Sequence, residues 1–370
     1  MSKLFSPLTI RGVTLPNRIV VSPMCQYCVT DGKPDLWHVA HLGQLAVSGA
    51  GMLTIESTSV EPAGRITPGD LGLWDDATEA AFVPVLRGIR ANSKIFVTLQ
   101  LAHAGRKASS YEPWKGGQLI PFSEGGWETV APSAVAHKEG EAPPVALTKA
   151  DLVRLRDLFV ASTERAIRLG VDAIELHGGH GYLLHQFLSP ISNQRTDEYG
   201  GSLENRLRFP LEIFDAVRKA LPAEKLLGIK LSASDWVEGG LDIEQTVEIS
   251  RALKAHGADW VVLSSGGISP LQKIAPAPNY QVPFAEAVKK GTGVVSTAVG
   301  LINDAHQAEE IIASGKADLV AIARAMLYDP RWPWHAAAEL NAKVDAPPQY
   351  WRAPPAQYKD IFNDMTFGAR

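Results

Sequence analysis

Two imidazoles and a phenol lie within one short stretch, His177-Gly178-Gly179-His180-Gly181-Tyr182, directly after the apolar run Val171-Asp172-Ala173-Ile174-Glu175-Leu176. Only glycines separate them, so three proton-capable groups stand on a backbone with almost no side-chain bulk. A packed core gains nothing from that pattern, whereas a catalytic face does. The i, i+3 imidazoles suit two kinds of chemistry. They can donate hydrogen bonds to one developing oxyanion, with the phenol as general acid, or they can ligate a metal ion. A catalytic zinc needs a third protein ligand, for which His103 and Glu56 are the candidates. Tyr182 also fits a plain rim aromatic, so its role is open at this level.

A strand must carry this stretch, and the chain holds eight runs that fit. Apolar, β-branched segments recur at residues 19–23, 51–55, 95–99, 171–176, 226–231, 260–263, 294–298 and 319–322. Few polar residues interrupt them, as a parallel sheet covered on both faces requires. Helical patterns lie between, with readable ends. Thr148 and Asp151 open 152–169, Asp242 and Gln245 open 243–256, and a helix over 301–314 stops at Gly315. Eight strands alternating with helices predict an α/β fold, one (β/α)8 TIM barrel spanning residues 1–370.

Three segments stand outside this rhythm. Residues 1–18 contain a β-hairpin turning at Arg11-Gly12, which should cap one end of the barrel. Residues 104–144, rich in Gly, Pro, Trp and Ser, follow the third strand; loops of that length are usually lids or ligand walls. The tail, 346–370, carries two Pro-Pro pairs with Tyr350, Trp351, Tyr358 and Phe362. It reads as a tail that docks, with a neighbouring subunit as one candidate receiver.

Composition narrows the partners. The chain has 370 residues, 45% hydrophobic and 21% charged, with a net charge of -4. That balance gives no reason to expect nucleic acid or an acidic membrane. No apolar run is long enough to span a bilayer, and the N-terminus lacks a signal-peptide core, so a cytoplasmic protein is expected. The two cysteines, Cys25 and Cys28, have C-x-x-C spacing. A zinc site would require a second ligand pair, and a thioredoxin-like motif would open a helix. Cys25 is better read as a single thiol near chemistry, and no metal is assigned.

Active sites of such barrels lie at the C-terminal ends of the strands, so reading those ends in order tests the assignment. Strand one ends in Ser22-Pro23-Met24-Cys25-Gln26-Tyr27, strand two in Glu56-Ser57-Thr58 and strand three in Gln100-Leu101-Ala102-His103. Strand four ends in the histidine–tyrosine stretch. Strand five carries Lys230, strand six ends in Ser264-Ser265-Gly266-Gly267, strand seven at Val299-Gly300 and strand eight at Ala323-Arg324. Polar or glycine residues stand at every end. The last two strands commonly hold a phosphate: Gly300 lets one approach the backbone and Arg324 offers a fork of charged donors, unless that arginine is a surface ion-pair residue. Lys230 interrupts an apolar strand and, if buried, needs an anionic partner. Cys25 and Tyr27 alternate around Gln26 and share a side if the first strand continues through them.

Together these residues resemble the old yellow enzyme family of flavin-dependent ene-reductases. Within it they are most similar to the bacterial branch with an active-site cysteine, the thermophilic-like and xenobiotic reductases. The resemblance covers nearly the whole chain. Its anchors are Leu15-Pro16-Asn17-Arg18, Ser22 to Tyr27, Gln100 to Lys107, His177 to Tyr182, the highly specific block from Leu188 to Arg206, Ser232-Ala233-Ser234-Asp235, Ala298-Val299-Gly300 and Ala323-Arg324.

The resemblance implies a noncovalent FMN in the barrel mouth, with Ser22, Pro23, Met24, Cys25, Ser57, Gln100, Lys230, Gly300, Ala323 and Arg324 at flavin-contacting positions. It implies NADPH or NADH as reductant and α,β-unsaturated carbonyl compounds, with nitro compounds as a further class, as small-molecule substrates. His177 and His180 would donate to the carbonyl oxygen, and Tyr182 would deliver a proton. Cys25 would tune the flavin and touch substrate, and Tyr27 would line the pocket. A homodimer or higher homo-oligomer is expected.

Two features depart from the family. Lysine stands at position 230 where arginine is frequent, which keeps the charge and loses bidentate bonding. The alignable stretch 355–362 offers neither the arginine nor the tryptophan with which the cysteine branch reaches into a partner's site. Two other readings compete. A 2,4-dienoyl-CoA reductase needs an iron–sulfur cluster and further domains, which two cysteines and this length argue against. A flavin-binding barrel without turnover would have no use for the intact His177, His180 and Tyr182 set.

Overall fold

A computed structural model describes residues 1–365; residues 366–370 of the tail lie outside the described residues. Eight strands hydrogen-bond side by side in chain order: β1 (Ile19–Val21), β2 (Met52–Ser59), β3 (Phe96–Ala102), β4 (Ala173–Gly178), β5 (Leu226–Ser232), β6 (Trp260–Ser264), β7 (Val295–Ala298) and β8 (Leu319–Ile322). Each pairing is parallel, and β8 returns to β1, which closes the barrel. The expected (β/α)8 architecture is the one observed.

The strand ends differ from expectation in one consistent way. β2 through β6 run further toward the mouth than their apolar runs, so that His177 and Gly178 belong to β4 itself. An apolar run marks where the barrel is dry, whereas the backbone ladder continues as long as neighbouring strands supply partners. Polar side chains at those ends face the mouth without breaking the ladder.

The longer helices are α1 (Leu36–Ala46), α2 (Asp76–Asn92), α3 (Lys149–Arg168), α4 (Leu203–Ala220), α5 (Ile243–Ala255), α6 (Val282–Thr292), α7 (Ala305–Ala313) and α8 (Trp332–Glu339). Thr148 and Asp151 form a reciprocal capping box, so α3 starts at Lys149 rather than at Leu152. The Asp242 side chain accepts from Gln245 N at 2.8 Å and opens α5 as expected. α7 starts at Ala305, not at Leu301. Leu301 has φ 54° and cannot begin a right-handed helix, and Asp304 with Gln307 makes the capping box four residues further on.

The N-terminal hairpin pairs Leu8–Ile10 antiparallel to Val13–Leu15. Its Ile10 and Leu15 pack with Val20, Met52, Ala173, Leu226, Trp260 and Leu319, which plugs the barrel at the N-terminal ends of the strands. The excursion over 104–144 crosses the opposite end. The Trp114 ring meets Tyr27 edge-on at 5.8 Å, and Trp127 Nε1 donates to Ala63 O at 2.9 Å. The Arg106 fork donates to Val135 O at 3.0 Å and Ala136 O at 3.3 Å. No described helix is long and apolar enough to cross a membrane.

Through Met365 the tail docks on this chain's own α8. Phe362 lies 4.9 Å from the Trp334 ring, Tyr350 lies 5.6 Å from it, and the Arg331 guanidinium covers the Trp334 and Tyr350 rings. Trp334→Ala is therefore expected to destabilise the protein by about 3 kcal/mol, read as a lower denaturation midpoint. An unshifted midpoint would mean that the tail contributes no packing.

Candidate active site

β4 delivers the central groups. Inward side chains alternate along a strand, so Ala173, Glu175 and His177 form successive layers from the plugged end to the mouth, and His177 stands opposite Lys230 of β5. Beyond Gly178 the chain turns sharply, with φ 56° at His180 and 76° at Gly181. A Cβ at Gly181 would lie 2.0 Å from Gly267 O, and one at Gly267 would lie 2.4 Å from His180 C. The β4 and β6 loops thus touch backbone to backbone, which only glycine permits. Lys107 Nζ bolts the same two loops together by donating to His180 O at 2.8 Å and Gly267 O at 3.0 Å.

A directional chain of hydrogen bonds runs through the histidines. Gly179 N–H, which can only donate, approaches His177 Nδ1 at 3.3 Å, so the His177 proton resides on Nε2. That nitrogen faces His180 Nδ1 at 3.3 Å, and His180 Nε2 meets Ser264 Oγ at 2.8 Å. Burial, and then the nearby Lys230 charge, hold both imidazoles well below the ordinary histidine range, so both rings are neutral at pH 7. Tyr182 packs edge-on against His177, with ring centroids 4.8 Å apart. Burial, with Cys25 and Asp70 adding to it, pushes its phenol well above 10, and the group stays protonated.

β1 stops at Val21, and the segment after it is irregular. The expectation that a continuing strand brings Cys25 and Tyr27 to one side is corrected in its cause. Tyr27 takes a left-handed conformation, φ 53°, and the turned chain brings its hydroxyl near enough to the Cys25 thiol for each to shift the other's titration. Cys25 is half-buried and Cys28 exposed, and both are free thiols. Burial pushes the Cys25 thiol up, with Asp70 and Glu56 adding to it, so it is held as a thiol rather than a thiolate. Beneath this loop Gln26 N donates to Glu56 Oε2 at 2.7 Å, and Glu56 Oε1 pairs with His38 Nε2 at 3.0 Å.

Those bonds commit Glu56, one of the two candidate third metal ligands. The other, His103, is held by Glu61 Oε1 at 2.9 Å and accepts from Gly105 N at 2.9 Å. Neither is available to complete a site with His177 and His180.

The floor of the mouth sets a buried acid beside a buried base: burial raises the Glu175 carboxyl, and Lys230 with the Gln100 and Trp260 donors draws it back down. Lys230 is only 6% exposed and Glu175 1%. Gln100 Nε2 donates to Glu175 Oε1 at 2.7 Å, and Trp260 Nε1 donates to Glu175 Oε2 at 3.3 Å. Burial lowers the Lys230 ammonium, while the negative field of Glu175 raises it again. No described acceptor lies within hydrogen-bond distance of Lys230 Nζ, which leaves its donors to whatever enters the mouth.

At the far side Gly300 has φ 106°, and a Cβ there would lie 2.5 Å from Gln281 Nε2. Arg324 follows Ala323 at the start of the short helix Arg324–Tyr328, exposed and without a salt bridge to any described residue, so the surface ion-pair reading of it fails. Ser22 is tied to β8 through Ile322 O at 3.0 Å, next to Pro23 and half-buried Met24. Ser57 lies within a register shift between Ile55 and Thr58 of β2, a bulge of the kind that re-aims side chains beside active sites.

The residues singled out from the sequence thus stand at the C-terminal strand ends and the loops that follow them. A cation with free donors, a glycine cradle and an unpaired arginine fit a planar anionic ring that carries a phosphate. A cleft of about 680 Å³ lined by Pro16, Ala46, Asp345, Pro348 and Trp351 holds none of these groups. Sequence reasoning passed over Glu175, Ser264 as a partner of His180, and Lys107 as a bolt. It also missed the buried His185–Asp235 pair (2.8 Å), whose His185 Nδ1 accepts from Gly181 N at 2.9 Å and so holds the β4 turn from behind.

The sequence pattern of the NADH:flavin oxidoreductase / NADH oxidase family matches residues 3–343. The chain is 43% identical over 351 residues to the NADPH dehydrogenase of Geobacillus thermodenitrificans, covering 94% of this chain and 98% of the relative. It is 44% identical over 361 residues to an NADH:flavin oxidoreductase of Gibberella zeae, covering 93% and 87%. Among solved structures, morphinone reductase in complex with tetrahydroNAD superposes with a TM-score of 0.76 at 27% identity, covering 98% of both chains. A 2-naphthoyl-CoA reductase reaches a TM-score of 0.81 at 24% identity, over 90% of this chain and 51% of that one, and shows the fold alone.

Proposed function

The chain belongs to the NADH:flavin oxidoreductase / NADH oxidase family, the old yellow enzyme family, and we propose that this oxidoreductase uses noncovalent FMN and NADPH (or NADH) to reduce the C=C bond of α,β-unsaturated carbonyl compounds. The observation that carries the reading is the convergence of His177 Nε2 and His180 Nδ1, 3.3 Å apart, beside the protonated Tyr182. When bound, FMN supplies hydride transfer between the nicotinamide and the substrate. Lys230 and Gln100 would hold its ring, Gly300 and Arg324 would receive its phosphate, and Ser22 to Cys25, Ser57 and Ala323 would complete the wall.

The chain's own groups do the rest. Hydride arriving at the β-carbon of an enone builds negative charge on the carbonyl oxygen. His177 Nε2–H donates to that oxygen from a fixed position. His180 Nδ1 carries the second proton in the neutral tautomer whose Nε2 accepts a hydrogen bond from the Ser264 hydroxyl, a donor otherwise within reach of Gln281 Oε1 at 3.4 Å. Tyr182 O–H then protonates the α-carbon, while Tyr27 and Cys25 line the pocket. Activated nitro compounds present a comparable oxygen.

Purified protein should be yellow and should consume NADPH faster when cyclohexenone is added; colourless protein that refuses added FMN would sink the reading. Cys25→Ser should shift the flavin midpoint potential in a redox titration against a reference dye, because a polarisable thiol is exchanged for a hydroxyl. An unshifted potential would leave Cys25 as packing alone.

A further inference from the structure

We propose that Glu175 is a redox-tuning positioning residue: buried one layer below the mouth, it offsets the charge of Lys230 and fixes the amide of Gln100, and so sets the potential of the flavin. The inference rests on the reading that FMN occupies the mouth, and it concerns a residue one layer beneath that group.

Three observations carry it. First, Glu175 is 1% exposed in the interior of the barrel, between the plug layer of Ala173 and the mouth layer of His177. Its register partner Gly228 has no side chain, and a Cβ there would lie 2.0 Å from the Trp260 ring, so the indole occupies that space and turns its N–H to the carboxylate. Second, stability does not call for a charge here. A buried ion pair is often matched or bettered by apolar residues of equal volume. Lys230 moreover makes no salt bridge to Glu175, whose oxygens accept from Gln100 and Trp260, although Glu175 is the main charge that raises its ammonium. Third, the pair is lopsided toward the mouth. Lys230 keeps its donors free, whereas both Glu175 oxygens accept, one from its register partner Gln100 and one from Trp260.

The consequence is electrostatic. A ring that becomes anionic on reduction is favoured by the Lys230 ammonium and disfavoured by the Glu175 carboxylate behind it, both in a dry interior where charges are felt strongly. Glu175 also decides which end of Gln100 is presented. With Nε2 donated to the carboxylate, the amide has its oxygen left for the mouth, an acceptor suited to an N–H of the ring.

The test compares midpoint potentials of flavin-loaded proteins, with the FMN dissociation constant and visible spectrum measured alongside. Glu175→Gln should move the potential to more positive values, and Glu175→Asp should restore part of the shift. An unchanged or more negative potential in yellow, folded Glu175→Gln protein overturns the proposal, since a purely structural residue would alter stability and leave the potential alone. Should that variant fail to fold, Lys230→Met is compared with the Lys230→Met/Glu175→Gln double variant. Loss of Glu175 should again raise the potential, and equal potentials overturn the proposal. Wild-type protein that takes up no flavin overturns the FMN reading and this inference together, whereas normal loading with an unshifted potential overturns the inference alone.

Discussion

Replacing His177 and His180 together with alanine is expected to slow reoxidation of the reduced protein by an enone about 1,000-fold, with its reduction by NADPH little changed. A single fixed donor to a developing oxyanion is worth roughly 100- to 1,000-fold in rate. Two donors on one oxygen act as a unit, so their removal costs less than the product of separate losses. The selectivity follows from the chemistry: hydride delivered to the flavin develops no charge at the oxygen between the two rings, whereas hydride leaving for an enone does. Both rings are neutral in the fold, so the loss should be the same across the neutral pH range. Affinity for phenols, whose oxygen mimics the enolate, should fall in parallel. Rapid mixing resolves the half-reactions, and unchanged phenol affinity would remove the clamp.

The second large effect is at Tyr182. Tyr182→Phe keeps the ring that packs edge-on to His177 at 4.8 Å and under the Lys107 ammonium at 5.2 Å, so it removes the hydroxyl and little else. General acid catalysis typically contributes about 100- to 10,000-fold, and reoxidation by enones should slow within that range. Reduction by NADPH and reoxidation by oxygen use no proton on a substrate carbon and should stay as they are. Equal slowing of the enone and NADPH steps would mean that Tyr182 shapes the pocket rather than protonating the substrate.

The fold was legible because the dry part of each strand is apolar and the breaks between helix and strand are glycines or capping pairs. Strand ends were less so: Gln100, His177 and Ser264 are polar yet remain in the ladder, since they face the mouth. The start of α7 was written in Asp304 and Gln307, but the apolar Leu301 drew the boundary forward. At the site, Lys230 stood out as a charge within an apolar strand, and Glu175 carries the same signal in β4. It was overlooked because the histidines that follow dominate that stretch. Lys107 and Ser264 gave no local sign of their roles. Their partners His180 and Gly267 are brought to them only by closure of the barrel.

The central claim is that the β4 end grips one carbonyl oxygen so that a flavin in this mouth can pass hydride to an enone. The most direct measurement mixes NADPH-reduced protein with cyclohexenone in the absence of oxygen and follows the return of the oxidised flavin colour. The colour should return at a rate that saturates with enone and that the His177→Ala/His180→Ala variant nearly abolishes. Protein that stays bleached with every enone, yet recovers its colour at once in air, would contradict the claim.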